Sequence, residues 1–328
     1  MSAPIAVLGA GAWGTALANL AARRGTRVLL WARNADHVAE MKRARENVRR
    51  LPGVRLADAV EPTADLRRVR EAQCVLAVMP AQSLRDVLRA AKADLREDAD
   101  LVLCAKGIER GTHAFLSDVV AAEAPHARAA VLSGPSFAAD VAANLPTAVT
   151  LAARDLETAE RLGRTLDAPT FRLYRSTDIR GAEIGGAAKN VLAIACGIAA
   201  GRGLGASAVA ALTARAFAEL TRFGRAFGAQ PETLLGLSGL GDLVLCCATL
   251  QSRNFAFGHA IGAGKSTSEA GGGKLAEGAF TARALVELAR MKGVEMPIAS
   301  VVDRIVAGEL GVDAAIDSLL MRPTKSES

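Results

Sequence analysis

The sequence predicts an α/β protein, with an N-terminal domain on a mostly parallel sheet over residues 1–178 and an all-α domain over 179–328. Three observations lead there. Apolar, strand-like runs alternate with helical stretches through the first half of the chain. A glycine-rich turn, Gly9-Ala10-Gly11-Ala12-Trp13-Gly14, follows the first of those runs. Beyond Asp178 strand patterns all but vanish and the sequence turns Ala- and Leu-rich. A chain of 328 residues exceeds one typical core, and 51% hydrophobic content is ample for two.

Taken in order, strands are expected at 5–8, 27–31, 74–79, 100–104, 129–132 and 147–152, with a last one near 169–174. Helical stretches over 35–47, 81–92 and 115–124 separate them, which is the pattern of βαβ units in a parallel sheet. In the second half Val209, Leu212, Ala216, Leu220, Phe223 and Phe227 recur at steps of three and four, the helical period. The weakly apolar, Gly-rich segment 262–273 reads as a mobile loop. No internal repeat is evident.

Composition narrows the function classes. The net charge of +6 invites nucleic acid, but aromatic content is only 4% and no basic run is interleaved with aromatics. Attraction of small polyanions accounts for the bias as well. The uncharged stretch 5–22 approaches the shortest bilayer span, yet three glycines, Thr15 and Asn19 interrupt it. No basic segment precedes it and Pro4 sits at its start, unlike a secretory signal. A cytoplasmic protein without membrane insertion is expected. Cys74, Cys104, Cys196, Cys246 and Cys247 show no CxxC spacing and read as reduced, buried thiols. His37, His113, His126 and His259 lack ligand spacing, so no metal is expected.

The glycines have a steric logic. A dinucleotide's pyrophosphate binds where backbone N–H groups and a helix dipole point outward, at the start of the helix after the first strand. Gly9 permits the sharp turn, Gly11 lets phosphate approach the backbone, and Gly14 lets the helix pack on the strand. The flanking strand, helix and βαβ run make this a Rossmann dinucleotide site rather than a plain turn. Where NAD-specific sites commonly carry an acid about 20 residues on, this chain carries Arg33. A guanidinium suits a 2′-phosphate, so NADP is preferred over NAD; a solvated loop arginine is the alternative.

Two further stretches need weighing. Gly264-Lys265-Ser266 resembles a phosphate-binding P-loop, but His259 stands where the motif needs glycine and no apolar strand precedes it. In "GGAAKNVLAIACGIAAG", Lys189 and Asn190 interrupt otherwise small or apolar residues. A buried ammonium there would have a lowered pKa and serve as a proton donor or acceptor near neutrality. A lysine snorkelling to solvent along its stem is equally compatible.

Several stretches together resemble one family, the bacterial NAD(P)-dependent sn-glycerol-3-phosphate dehydrogenases. They are "VLGAGAWGTALA", "CAKGIE", "VLSGPSFAADVAANLPTAVTLA", "GGAAKNVLAIACGIAAGRGLG", "GLGDLVL", "QSRN" and "EGAFTA", then "GVEMPI", in family order from residue 7 to about 298. The resemblance implies a Rossmann domain and a helical domain with the active site between them. It implies reversible oxidation of glycerol 3-phosphate to dihydroxyacetone phosphate, with hydride passing between carbon 2 and the nicotinamide, in support of phospholipid synthesis. By motif, Lys189 is similar to the family's general acid/base, and Lys106 to a lysine that contacts substrate and cofactor. Asp242, Ser252, Arg253 and Asn254 match substrate contacts, and Gly134 and Ser136 a substrate loop. Gly9, Gly11, Ala12, Trp13, Gly14, Arg33, Ala138 and Glu277 fall on cofactor positions, and Arg253 falls there too. A homodimer is expected as well, since exposed Ala-rich helices are compatible with one.

Chemistry supports these matches residue by residue. Hydride addition to a ketone builds charge on its oxygen, which an ammonium at Lys189 stabilises and protonates, while Lys106 lowers the first pKa by repulsion. Asp242 orients a lysine or a substrate hydroxyl, or else caps the following helix. Arg253 and Asn254 offer a planar fork and an amide to phosphate, or form an ordinary surface turn. The Ser133–Ser136 turn suits a backbone approached by ligand, or is merely tight. Two positions depart from the family. Ala12 replaces the usual serine, and Cys246 stands where threonine is common, so any hydroxyl role there is in doubt. Rival readings are a 3-hydroxyacid or 6-phosphogluconate type dehydrogenase, opposed by "QSRN" and "SGPSF", and an NADPH-binding sensor, opposed by Lys106, Lys189 and Asp242.

Overall fold

The computed structural model describes residues 3–23, 25–272 and 276–320, apart from the Leu320 side chain. Among the described residues its N-terminal half holds a sheet of eight strands and a second of two, and its second half is helical. The strands are β1 (Ile5–Leu8), β2 (Val28–Trp31), β3 (Glu46–Asn47), β4 (Leu51–Arg55), β5 (Val60–Thr63), β6 (Cys74–Ala77), β7 (Asp100–Leu103), β8 (Arg128–Ser133), β9 (Thr147–Ala153) and β10 (Phe171–Ser176). The main sheet runs β10-β9-β8-β7-β6-β1-β2-β5, and β3 pairs only with β4. Every predicted strand is present.

Strand order reverses at β1, between β2 and β6, and such a switch point leaves a crevice at the carboxyl ends of the strands. The fully apolar IAVL and CVLA runs suit central strands covered on both faces by helices. Those helices are α1 (Ala12–Ala22), α2 (Ala35–Ala44), α3 (Leu84–Ala91), α4 (Leu116–Glu123), α5 (Ala138–Ala142) and α6 (Leu156–Leu166).

One expectation is corrected here, and two features were not foreseen. The helix predicted over 35–47 ends at Ala44, because Arg45 turns left-handed (φ 51°) and Glu46–Asn47 then pairs with β4. The short strands β3, β4 and β5 went unforeseen, since Pro52, Gly53 and Pro62 break any alternating pattern. Finally, β9 runs antiparallel to β8. The connection 134–146 holds only the five-residue α5 and never crosses back to the opposite edge, so β9 starts where β8 stops. That reversal keeps 134–146 on the carboxyl edge.

The second half comprises α7 (Ile179–Gly201), α8 (Ala206–Ala226), α9 (Pro231–Leu235), a π turn at Leu237–Gly241, α10 (Asp242–Cys247), α11 (Arg253–Gly262), α12 (Thr267–Ala270), α13 (Glu277–Met291), α14 (Pro297–Val306) and α15 (Val312–Leu320). The loop expected over 262–273 therefore contains helix α12, held by a capping box between Ser266 and Glu269, while Gly273 lies outside the described residues. Asp178 caps α7 by accepting from the Gly181 N–H at 2.7 Å. Helix α7 has the length and apolarity of a membrane span, but 89% of its apolar window is buried inside the fold, as in a core helix.

Packing around α7 is set by glycine. A Cβ on Gly197 or Gly201 would meet the carbonyl oxygens of Phe255 or His259 at 2.1 and 2.0 Å. In return, a Cβ on Gly258 or Gly262 would meet those of Ile194 or Ile198 at 2.1 and 2.2 Å. Two Gly-x-x-x-Gly stripes thus let the backbones of α7 and α11 touch. At the other end of α7, buried Glu183 accepts from both the N–H and the hydroxyl of Ser117 on α4, each at 2.7 Å, and ties the helical half to the sheet.

Two outcomes follow. Gly197→Ala should lower unfolding free energy by about 1–3 kcal/mol in urea denaturation, the range for overpacking a tight core; an unchanged midpoint would show that the contact relaxes freely. Burial raises the Glu183 carboxyl to about 7, against Arg180 and Ser117, which lower it. The folded state therefore binds more protons than the unfolded one between the ordinary carboxylate range and about pH 7, and stability falls as pH rises through that window. Relative to Glu183→Gln, the wild type should lose about 2–3 kcal/mol between about pH 5 and about pH 8; a constant difference would reject the assignment.

Candidate active site

The carboxyl edge of the sheet meets the helical half around one buried carboxylate. Asp242 opens α10 directly after the π turn and is 1% exposed. Its Oδ1 accepts from Lys189 Nζ at 2.9 Å, and its Oδ2 from Lys106 Nζ at 2.5 Å. Lys189 comes from the middle of α7, whereas Lys106 comes from the loop after β7, so the ion triad joins both halves of the chain. Asp242 does not cap its own helix through its side chain. Lys106 also donates to the Gly134 carbonyl at 3.0 Å, and Ser136 Oγ donates to the same oxygen at 3.1 Å. Gly134 takes φ +148°, and a Cβ there would lie 2.9 Å from Val149 Cα. Ser133 Oγ, buried beside Gly186 and the Lys106 stem, has no hydrogen-bond partner among the described residues.

Lys189 does not snorkel; it is 6% exposed. Its titration is the reverse of the sequence expectation. Burial lowers its pKa, but the Asp242 carboxylate, aided by Cys246, more than compensates, and the net direction is upward. Lys106 is the amine that falls, because its burial, with repulsion from Lys189, outweighs Asp242. Asp242 itself is depressed: burial would raise it, and the two ammonium groups overcome that. The sequence pointed to Asp242 as orienting one lysine, not as shared by two, which is why the pKa assignments change places.

Helix α11 starts nearby. Ser252 is its N-cap, accepting from the Phe255 N–H at 3.3 Å, and its hydroxyl proton stays free to donate. Arg253 is exposed at the first helical position. Asn254 is buried, with Nδ2 donating to Asn190 Oδ1 at 2.8 Å and Oδ1 accepting from the Gly278 N–H at 2.9 Å. One Nδ2 proton therefore remains for a ligand. Sequence reasoning gave Asn190 no role; its signal was an amide beside Lys189 in an apolar helix. Glu277, at the start of α13, accepts from the Ala81 N–H at 3.1 Å and bridges back to the loop after β6.

At the other end of the crevice the glycine turn fits a dinucleotide. Gly9 takes φ +120°, and a Cβ there would lie 2.7 Å from Met79 N. A Cβ on Gly14 would strike the Gly9 carbonyl oxygen at 1.8 Å, while one on Gly11 would point into open space. Gly11 leaves α1 without a side-chain cap, so its first N–H groups, starting at Ala12 and Trp13, face outward, a ready cradle for phosphate. Arg33 is exposed two residues past β2, and Ala138 opens α5. Among the described residues no His, Cys, Asp and Glu cluster could hold a metal ion.

Comparison with known proteins gives the family. The model of the NAD-dependent glycerol-3-phosphate dehydrogenase N-terminus matches residues 4–159, and that of the same family's C-terminus matches residues 178–317. A protein of Azorhizobium caulinodans named glycerol-3-phosphate dehydrogenase (NAD(P)+) is 61% identical over 324 residues, covering 99% of this chain and 98% of its own. One of Bradyrhizobium sp. (strain BTAi1) with the same name is 60% identical, covering 98% of each. The crystal structure of glycerol-3-phosphate dehydrogenase from Coxiella burnetii, 40% identical, superposes with a TM-score of 0.94 over 98% of this chain and 99% of that one. The chain belongs to the NAD-dependent glycerol-3-phosphate dehydrogenase family.

Proposed function

We propose that this chain interconverts sn-glycerol 3-phosphate and dihydroxyacetone phosphate by hydride transfer with NADP, its preferred cofactor, or NAD. The observation that carries the reading is the Asp242 carboxylate held between Lys106 and Lys189 at the carboxyl edge of a dinucleotide-type sheet. When bound, the nicotinamide supplies or accepts the hydride. Gly9, Gly11, Ala12, Trp13 and Gly14 would hold its pyrophosphate and Arg33 its 2′-phosphate, with Lys106, Ala138, Arg253 and Glu277 as further cofactor contacts.

The remaining chemistry belongs to the protein. Lys189, kept charged by Asp242, stabilises negative charge growing on the C2 oxygen of the ketone and then donates its proton. Lys106 polarises the same region. Arg253 and the N-terminus of α11 take the phosphate, with Ser252 and Asn254 at its side. Gly134 and Ser136 line the opposite wall. Residues 1–178 and 179–328 act as cofactor and substrate domains with the site between them. The phosphorylated triose fits the basic balance of the chain, and neither nucleic acid nor a membrane is needed. We place the enzyme in the cytoplasm as a homodimer supplying glycerol 3-phosphate to phospholipid synthesis.

Lys189→Ala should lower kcat about 10²–10⁴-fold, the range for general acid–base catalysis, while NADPH affinity by fluorescence titration holds. A kcat near wild type would reject the role. Arg33→Asp should raise KM for NADPH about tenfold or more with little change for NADH, as loss of a charge-assisted hydrogen bond implies. Equal changes with both cofactors would remove the case for NADP.

A further inference from the structure

Cys246 lies one helical turn after Asp242 on α10, so the two side chains share a face. Packing of α10 on α7 then brings Cys246 Sγ to 2.8 Å from Lys189 Nζ and 3.6 Å from Asp242 Oδ1. All three groups are buried, with Cys246 3% exposed. The next thiols face elsewhere. Cys247 is displaced about 100° around the helix, since neighbouring residues do not face one another, and Cys196 contacts Thr213 Oγ1 at 3.4 Å. The nucleophile nearest Cys246 is thus an amine and not a second thiol. Solvent reaches the cluster from the Lys106 side, where that side chain is 17% exposed against 1% for Asp242.

We propose that Cys246 and Lys189 form an oxidation site, in which hydrogen peroxide converts the thiol to a sulfenic acid and the lysine amine displaces its oxygen to give a sulfenamide link. In the first step sulfur attacks one peroxide oxygen and the O–O bond breaks. Sulfur loses two electrons, and the thiol proton leaves with the departing hydroxide as water. In the second, the Lys189 ammonium hands one proton to the sulfenic oxygen as the freed nitrogen lone pair attacks sulfur. The S–O bond breaks, the oxygen departs as a second water, and the surplus proton on nitrogen leaves to solvent. Two equivalents of an external thiol reverse the link, returning thiol and amine and forming that reagent's disulfide. The link removes the proton donor, a consequence that rests on the role proposed for Lys189; its formation does not. Threonine, common at this position in the resembled family, has no such chemistry.

The test treats the purified full chain with hydrogen peroxide, removes the excess with catalase and maps peptides without reductant. The expected product joins the Cys246 and Lys189 peptides at a mass two hydrogens below their sum, and dithiothreitol separates them. Activity should fall about a hundredfold or more, the share that acid–base catalysis supplies, and return with dithiothreitol. Cys246→Ser and Lys189→Met should yield no linked pair. Recovery of Cys246 unlinked, as thiol or as sulfinic acid, overturns the proposal. If untreated enzyme fails to reduce dihydroxyacetone phosphate while the link still forms, the functional reading fails and the oxidation site stands.

Discussion

Burial of Asp242 between two ammonium groups constrains everything around it. A carboxylate taken out of water is destabilised unless paired and hydrogen-bonded, and one with two lysines has both oxygens satisfied. One carboxylate against two amines leaves the triad with a positive balance, the sign that the proposed reaction needs where charge grows on the ketone oxygen. It also spans the chain, since one lysine rides on the sheet and the other on α7. Neither half presents the complete arrangement alone.

The same need for close approach shapes the helical half. Helices α7 and α11 lie with their backbones in contact, which only glycine at four facing positions permits, and this draws the start of α11 toward Lys189. On the sheet side the short reversal from β8 to β9 keeps Gly134 and Ser136 at the edge where Lys106 emerges. Lys189 is thus placed by a helix, while Lys106, Gly134 and Ser136 sit on loops tied together by the hydrogen bonds to the Gly134 carbonyl.

Much of this was legible in the sequence. Central strands showed as unbroken apolar runs because both faces are covered, and the glycine turn announced itself at Gly9 and Gly14 through sterics that no other residue satisfies. Lys189 stood out as a charge within an apolar helix. The edge strands β3, β4 and β5 were hidden because proline and glycine mask their alternation, and the β8–β9 reversal because apolar content carries no direction. The lysine pKa directions were hidden for a different reason. They depend on Asp242, 53 positions from Lys189 and 136 from Lys106, and on which ammonium it compensates more fully.

The carboxamide chain from Asn190 through Asn254 to the Gly278 N–H joins α7, α11 and α13 beside Lys189. Two amide hydrogen bonds thus cross-link three helices at the level where α11 begins. On the function proposed above, this brace would set the spacing between the α11 N-terminus and the Lys189 amine, and with it the length of substrate that can reach both.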